Sequence, residues 1–440
     1  MNSCKHILLL RWMMLAALFT IHYSLFISPA RAQNAYDFIS QNRNFSASNY
    51  CVYPDSVHYR QTPPPAGKRP FYLSHYGRHG SRYLSNRKGY DIPYQMMCKA
   101  DSLGLLTPLG KYVKQQLHDI IVDSEGRWGD LSGIGKRQLR HIASRMMTNF
   151  PEIFQGPANI QARSTTVNRC VMSMGTTLQQ LVAMNPQLHI DMNASKRDLW
   201  YLNFQDHQLR DSMKSKRATN AYNTFWKPRE KNPRLMKLLF TRPDSLDKSI
   251  SEKWINYYLL KTALIQQNTH MIDSTRFIDF FTDEDIHQFW QVENAWWYIQ
   301  HGGSLLNGGH QPYTQRNLLR QMIVEADSCI RLNKPGAQLR FGHETVVLPL
   351  VCLLGINGFG LQTASLDDLE QNGWWACLVF PMASNLQFVF YRRDRYDTDV
   401  IFKVLLNEEE ATLPIETDIA PYYHWRDFRK YYLNKLDNYR

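Results

Sequence analysis

Three short apolar runs in this 440-residue chain stop in the same way. "PFYLSHY" (Pro70 to Tyr76), "ANIQA" (Ala158 to Ala162) and "AQLRF" (Ala337 to Phe341) each break at a small turn that carries a basic side chain, and helix-like stretches follow the second and third. A strand that ends in a turn and hands over to a helix is the repeating unit of a helix-covered sheet. Its recurrence restricts the chain to an α/β architecture. In open α/β sheets, ligands collect outside the C-terminal ends of the strands, and that is where all three basic turns fall.

The segments between divide the chain. Residues 1–32 hold Lys5 and Arg11, then the apolar stretch Trp12 to Ser28, then Pro29 and Ala30-Arg31-Ala32. A basic start, an apolar centre and an A-x-A ending predict an export signal cleaved before Gln33 and a periplasmic or secreted location. Residues 33–68, ending in "TPPPAGKRP", read as an irregular N-terminal arm. Residues 69–190 and 325–440 read as the α/β core. Between them, 191–324 is rich in Trp, Tyr, Lys and Arg in long helical stretches, and predicts an inserted, mainly α-helical domain. No later run is long and apolar enough to span a bilayer.

The net charge of +12 suits a polyanionic partner. Removal of the signal takes Lys5, Arg11 and Arg31 and no acid, so the exported chain stays basic. No RNA-binding, zinc-finger or basic-zipper pattern is present, which argues against nucleic acid. Cys51, Cys98, Cys170, Cys329, Cys352 and Cys377 remain, an even set for a compartment where disulfides persist, though fifteen pairings are open. None lies in a C-x-x-C or Cys/His ligand spacing, so no metal is expected.

Each basic turn alone reads as a solvated surface feature; together they hold the parts of one reaction. "GRHGSR" supplies Arg78, His79 and Arg82, "ARST" supplies Arg163, and "FGHET" supplies His343 and Glu344. Hydrolysis of a phosphate monoester needs its equatorial oxygens held and its leaving alkoxide protonated. Arg78, Arg82 and Arg163 are expected to bind the oxygens, with His343 as a further ligand. His79 is expected to attack phosphorus and Glu344 to donate the proton. The guanidiniums do the charge neutralisation that a metal does elsewhere, so no cofactor is called for.

These blocks resemble those of the histidine acid phosphatases: R-H-G-x-R is similar to that family's nucleophile motif, "ARSTTVNRCVMS" to its R-S-x-x-x-R segment and "GHET" to its late His-Asp pair. Within the family, "RFGHETVVLPL", "SNLQFVFYRR" and "KVLLNEEEATLPI" resemble C-terminal blocks of the multiple inositol polyphosphate phosphatases. The resemblance spans roughly Pro70 to Pro414. It implies an α/β core with a mixed sheet and an inserted α-domain, and the same roles for the residues named above. One departure concerns the acid. That group commonly carries His-Ala-Glu, so an ungapped alignment puts Thr345 at its acid position, whereas Glu344 matches the aspartate of the His-Asp branch.

Between Lys196 and Lys237 there are eleven Lys/Arg and four Asp/Glu. Arg210, Lys214, Lys216, Arg217, Lys227 and Arg229 are therefore candidate contacts to a small-molecule substrate with several phosphates, phytate foremost. Three rival readings stand beside this one: a general acid phosphatase on sugar phosphates, a phosphomutase, and a non-catalytic phosphate binder. The last has no need of His79 or Glu344.

Overall fold

The computed structural model describes residues 34–439 except 55–60, 205, 213–214 and 332–335. The export-signal segment and Lys214 therefore lie outside the described residues. An eight-stranded mixed sheet forms the centre. Its strands are β1 (Arg69–Arg78), β2 (Asn159–Ser164), β3 (His189–Asn193), β4 (Gly336–Gly342), β5 (Asn385–Arg392), β6 (Ile401–Leu406), β7 (Glu409–Ala411) and β8 (Tyr423–His424). They lie in the order β3-β2-β4-β1-β5-β6-β7, with β8 on β6. The first four are parallel, and β5 turns antiparallel against β1.

Nine residues of β1 are buried, as a strand covered on both faces requires. On one face Leu73, Ala162, Leu339 and Val389 pack against α4 (Gly133–Asn149) and α5 (Asn168–Met184). On the other, Tyr72, Tyr76, Phe388 and Phe402 meet α10 (Arg316–Arg331), α11 (Glu344–Leu354) and α12 (Trp425–Asp437). Each large apolar side chain sealed this way contributes roughly 1.5–3 kcal/mol.

A second core, away from the sheet, joins α1 (Ala35–Gln41), α2 (Lys88–Ser102), α3 (Pro108–Ser124), α7 (Pro233–Leu239), α8 (Glu252–Ile265) and the first part of α9 (Asp283–His301). This helical layer draws on three separate stretches of chain. The segment 191–324 supplies one of them, while Ala218 of α6 (Lys216–Trp226), Ala295 to Ile299 of α9 and the apolar face of α10 pack with the sheet side instead. Periodicity shows that a segment is helical but not which neighbour covers it. The N-terminal arm is also more ordered than its composition suggests. Asn34 caps α1 by accepting a hydrogen bond from the Asp37 amide (2.8 Å), and a 3-10 stretch, Arg43–Tyr50, follows with Ser46 to Asn49 buried. Among the described residues no helix is long and apolar enough to cross a membrane. All six cysteines from Cys51 on are free thiols.

Candidate active site

The parallel register brings three chain segments to one edge. Arg78 at the end of β1 is opposite Gly342 at the end of β4, and Ser164 at the end of β2 is opposite Phe341. The next residues along β1 and β4, His79, His343 and Glu344, therefore emerge side by side. Two glycines permit this closeness. A Cβ on Gly342 would lie 1.9 Å from the Tyr76 hydroxyl, and one on Gly80 would lie 2.7 Å from the Gly135 carbonyl oxygen of α4. The glycine of R-H-G-x-R is thus dictated by a backbone-to-backbone contact with the helix behind it.

The His79 ring is oriented by its own turn. Nδ1 lies 2.9 Å from the Gly80 carbonyl oxygen, which can only accept, so Nδ1 carries the proton and Nε2 keeps the lone pair. Nε2 in turn lies 3.4 Å from Glu344 Oε2. Burial first, with Arg78 and Arg82 adding to it against Glu344, holds the His79 pKa well below the ordinary histidine range. The ring is neutral and nucleophilic in mild acid.

Arg78 is completely buried. Its Nη1 donates to the Asn49 and Phe380 carbonyls, both at 2.6 Å, and its Nε lies 3.2 Å from Glu344 Oε2. Burial lowers its pKa to about 10, with Glu344 opposing, and it remains a cation. Arg82 donates from Nη1 to the Tyr83 carbonyl (2.9 Å) and places Nη2 3.9 Å from Glu344 Oε1. His343 shares a hydrogen bond with Thr165 Oγ1 (3.2 Å) and stands edge-on to His79, 5.9 Å between centroids. Burial, against the pull of Glu344, takes its pKa down to about 4.

Glu344 begins α11, and its carboxylate is the hub of this cluster. Asn49 Nδ2 donates to Oε1 (3.3 Å) from the N-terminal arm. Burial pushes the carboxyl pKa up, but Arg78 first, with Arg82 beside it, outweighs it and holds the group well below the ordinary range. The neighbouring Thr345 is exposed, so of the two positions in question Glu344 is the one in the pocket.

Arg163 goes elsewhere. It donates to Asp191 Oδ2 (2.7 Å) and to the Asp191 carbonyl (3.0 Å), pairing β2 with β3 on the face that also carries Gln161. The arginine that joins the cluster is Arg169, on the first turn of α5. Its charge acts on Arg78 and His343, and burial and Arg82 lower its own pKa. Neither Ser164 nor Thr165 caps this helix. The helix begins three residues later, at Asn168; Thr165 is held by His343, and the added turn swings the next arginine toward the strand ends. Strand alternation from buried Ala162 would have set Arg163 on the opposite face, and "NRC" after the turn was the available signal for Arg169. Ser173, a further residue missed from sequence, accepts from the Gly80 amide (3.2 Å) and fixes α5 to the nucleophile turn.

Among the buried polar atoms without a hydrogen-bond partner in the described residues are Arg78 Nη2, Arg82 Nε, Arg169 Nε and His79 Nε2. Buried polar atoms left unpaired are costly, so this cluster is suited to a polar ligand or water. Nitrogens of His79 and His343 and a Glu344 oxygen lie within 4.8 Å of one another, near enough to share a small cation. Arg78, Arg82 and Arg169 oppose that and fit an anion. As for the candidate outer contacts, Arg210, Lys216 and Arg217 are exposed. Lys227 pairs with Glu230 (2.6 Å), and Arg229 is engaged by Gln291 (2.9 Å), the Phe225 carbonyl (2.6 Å) and Asp367 (3.8 Å). These last two are occupied within the helical layer.

Residues 77–407 match the family described as the histidine phosphatase superfamily (branch 2). The chain belongs to this superfamily. The phosphatase is 21% identical over 321 residues to multiple inositol polyphosphate phosphatase 1 of Gallus gallus, 69% of either chain. Its fold is similar to that of the Bifidobacterium longum multiple inositol polyphosphate phosphatase in complex with inositol hexasulfate. The TM-score is 0.75 at 18% identity, covering 87% of this chain and 96% of that one. The phytase from D. castellii follows at TM-score 0.61 and 12% identity, covering 94% and 89%.

Proposed function

We propose that this phosphatase is exported and hydrolyses inositol polyphosphates, phytate foremost, through a phosphohistidine at His79. The observation that carries the reading is the His79 tautomer: the Gly80 carbonyl holds the proton on Nδ1 and aims the Nε2 lone pair among Arg78, Arg82 and Arg169. The relatives named for inositol polyphosphates and phytase support the substrate class. The A-x-A segment before Gln33 supports export.

In the first step His79 Nε2 forms a bond to phosphorus as the ester P–O bond breaks. The departing alkoxide takes the proton of Glu344. In the second step Glu344 accepts a proton from water, the resulting oxygen attacks phosphorus, and the N–P bond breaks to restore the Nε2 lone pair. Arg78, Arg82 and Arg169 hold the equatorial oxygens throughout, and electrostatic clamping of this kind is the main device of phosphoryl transfer.

Rapid quenching with labelled substrate should trap an acid-labile, base-stable phosphoenzyme, absent from His79→Ala. EDTA should leave the rate unchanged. A fully active His79→Ala variant would overturn the mechanism.

A further inference from the structure

Tyr50, at the end of the 3-10 stretch of the N-terminal arm, stands between two sets of cations. The Arg82 guanidinium lies 5.4 Å from its ring centroid, and the Lys261 ammonium, from α8, lies 5.8 Å from the same centroid. The phenol is also within electrostatic reach of Arg78 and Arg169. One aromatic ring therefore separates the phosphoryl pocket from a lysine of the helical layer. Tyr50 is half-buried, and among the described residues its hydroxyl makes no hydrogen bond.

Lys261 is held in place and kept charged. Its ammonium donates to Tyr257 Oη (2.8 Å) and lies 3.7 Å from Glu293, while Tyr257 Oη donates to Glu293 Oε1 (2.5 Å). Its side chain keeps 26% exposure, so it is not sealed inside this triad. An ammonium has three donors; Tyr257 takes one by a hydrogen bond, and Glu293 at 3.7 Å pairs with the charge.

From Glu293, Trp297 and His301 follow along one face of α9 at successive four-residue steps. Trp297 packs on Phe380 (4.7 Å), whose carbonyl holds Arg78, and His301 stacks on Trp297 (5.1 Å). Lys261 is thus connected through α9, Phe380 and Arg78 to Glu344 by successive contacts.

We infer that Tyr50 and Lys261 form a second anion subsite, which takes a neighbouring phosphate of the substrate while the reacting phosphate lies at His79. The inference rests on the polyphosphate reading above. It places the specificity cation on α8 and not at the exposed Arg210, Lys216 and Arg217. Polyphosphorylated substrates gain a charge-assisted contact there that a monoester with an apolar leaving group does not make.

The test is the ratio of kcat/KM for phytate to that for p-nitrophenyl phosphate in Lys261→Met, Tyr50→Phe and the charge-neutral double variant Lys261→Met/Glu293→Gln. The double variant guards against misfolding from an unpaired Glu293. Loss of one charge-assisted contact should lower the ratio about tenfold in both lysine variants, with a smaller drop for Tyr50→Phe. The inhibition constant of inositol hexasulfate should rise by the same factor relative to that of inorganic sulfate. An unchanged ratio, or equal losses on both substrates together with a lower melting temperature, would assign Lys261 to the structural triad alone and overturn the subsite. If the wild type hydrolyses p-nitrophenyl phosphate but not phytate, the substrate reading fails by itself. The ratio for fructose 1,6-bisphosphate against fructose 6-phosphate then decides the subsite in the same variants.

Discussion

Glu344 Oε2 lies 3.4 Å from His79 Nε2 and 3.2 Å from Arg78 Nε, so the proposed proton donor itself occupies the cations proposed to bind phosphate. The same carboxylate neutralises the pocket before substrate arrives and must yield its place to the phosphoryl oxygens. Two consequences can be measured.

Glu344→Gln should cut phytate turnover by about 10²–10⁴-fold, the range of general acid catalysis. p-Nitrophenolate is a stable anion, so the phosphorylation step with that ester should be spared by comparison. Removal of the carboxylate also frees Arg78 and Arg82, so inorganic phosphate should bind the variant more tightly than the wild type. Weaker phosphate binding would show that the carboxylate does not compete with the anion.

Ligand binding should draw in a proton. In the free enzyme Arg78 holds Glu344 ionised, its pKa well below the usual value. A bound dianion compensates the guanidiniums and repels the carboxylate, so the pKa rises on binding. Calorimetric titration with sulfate at about pH 5.5, above the ordinary carboxylate pKa of about 4.3, in buffers of different ionisation enthalpy should report uptake approaching one proton. Glu344→Gln should abolish it.

Arg169→Ala should lower kcat/KM by about 10²–10³-fold, the scale of losing one donor to the transition state. Arg163→Ala should leave kcat/KM within a few-fold and affect only the β2–β3 edge, where its Asp191 partner is exposed and the pair contributes at most about 1 kcal/mol. The reverse ranking would restore Arg163 to the pocket.

Acid should destabilise the fold before it protonates the nucleophile. Burial takes the folded pKa of His75 to about 3 and of His343 to about 4. Both lie below the unfolded value of about 6.5, so the unfolded chain binds these protons first. Their contribution is fully present above about pH 6.5 and falls as pH drops toward the folded values, by about 1.4 kcal/mol per pH unit for each group. Urea midpoints at neutral and mildly acidic pH should record the decline, and His75→Gln should flatten it.

The fold class was legible because apolar runs ending at Tyr76, Ala162 and Phe341 can form only short strands, and ligand sites follow strand ends. His79, Arg78, Arg82, His343 and Glu344 are brought together because each sits within four residues of such an end. Arg163 failed for a local reason: it is still inside β2, where alternation and Asp191 determine its direction. Asn49, Tyr50 and Lys261 were out of reach for a different one. They come from an arm and a helix whose neighbours depend on tertiary packing, and no periodicity encodes which partner a helix face will meet. The basic count over 196–237 pointed at charge without geometry, and Lys227 and Arg229 are already engaged by neighbours in the helical layer.

The hydrogen bond from Asn49 to Glu344 joins residues 295 positions apart. A ribosome that has already translated Arg78, His79, Arg82 and Arg169 has still not made Glu344, and no amino-terminal fragment ending before α11 holds the complete cluster. Contacts of such long separation form late in folding. The onset of turnover during synthesis therefore timestamps the docking of α11 against the arm.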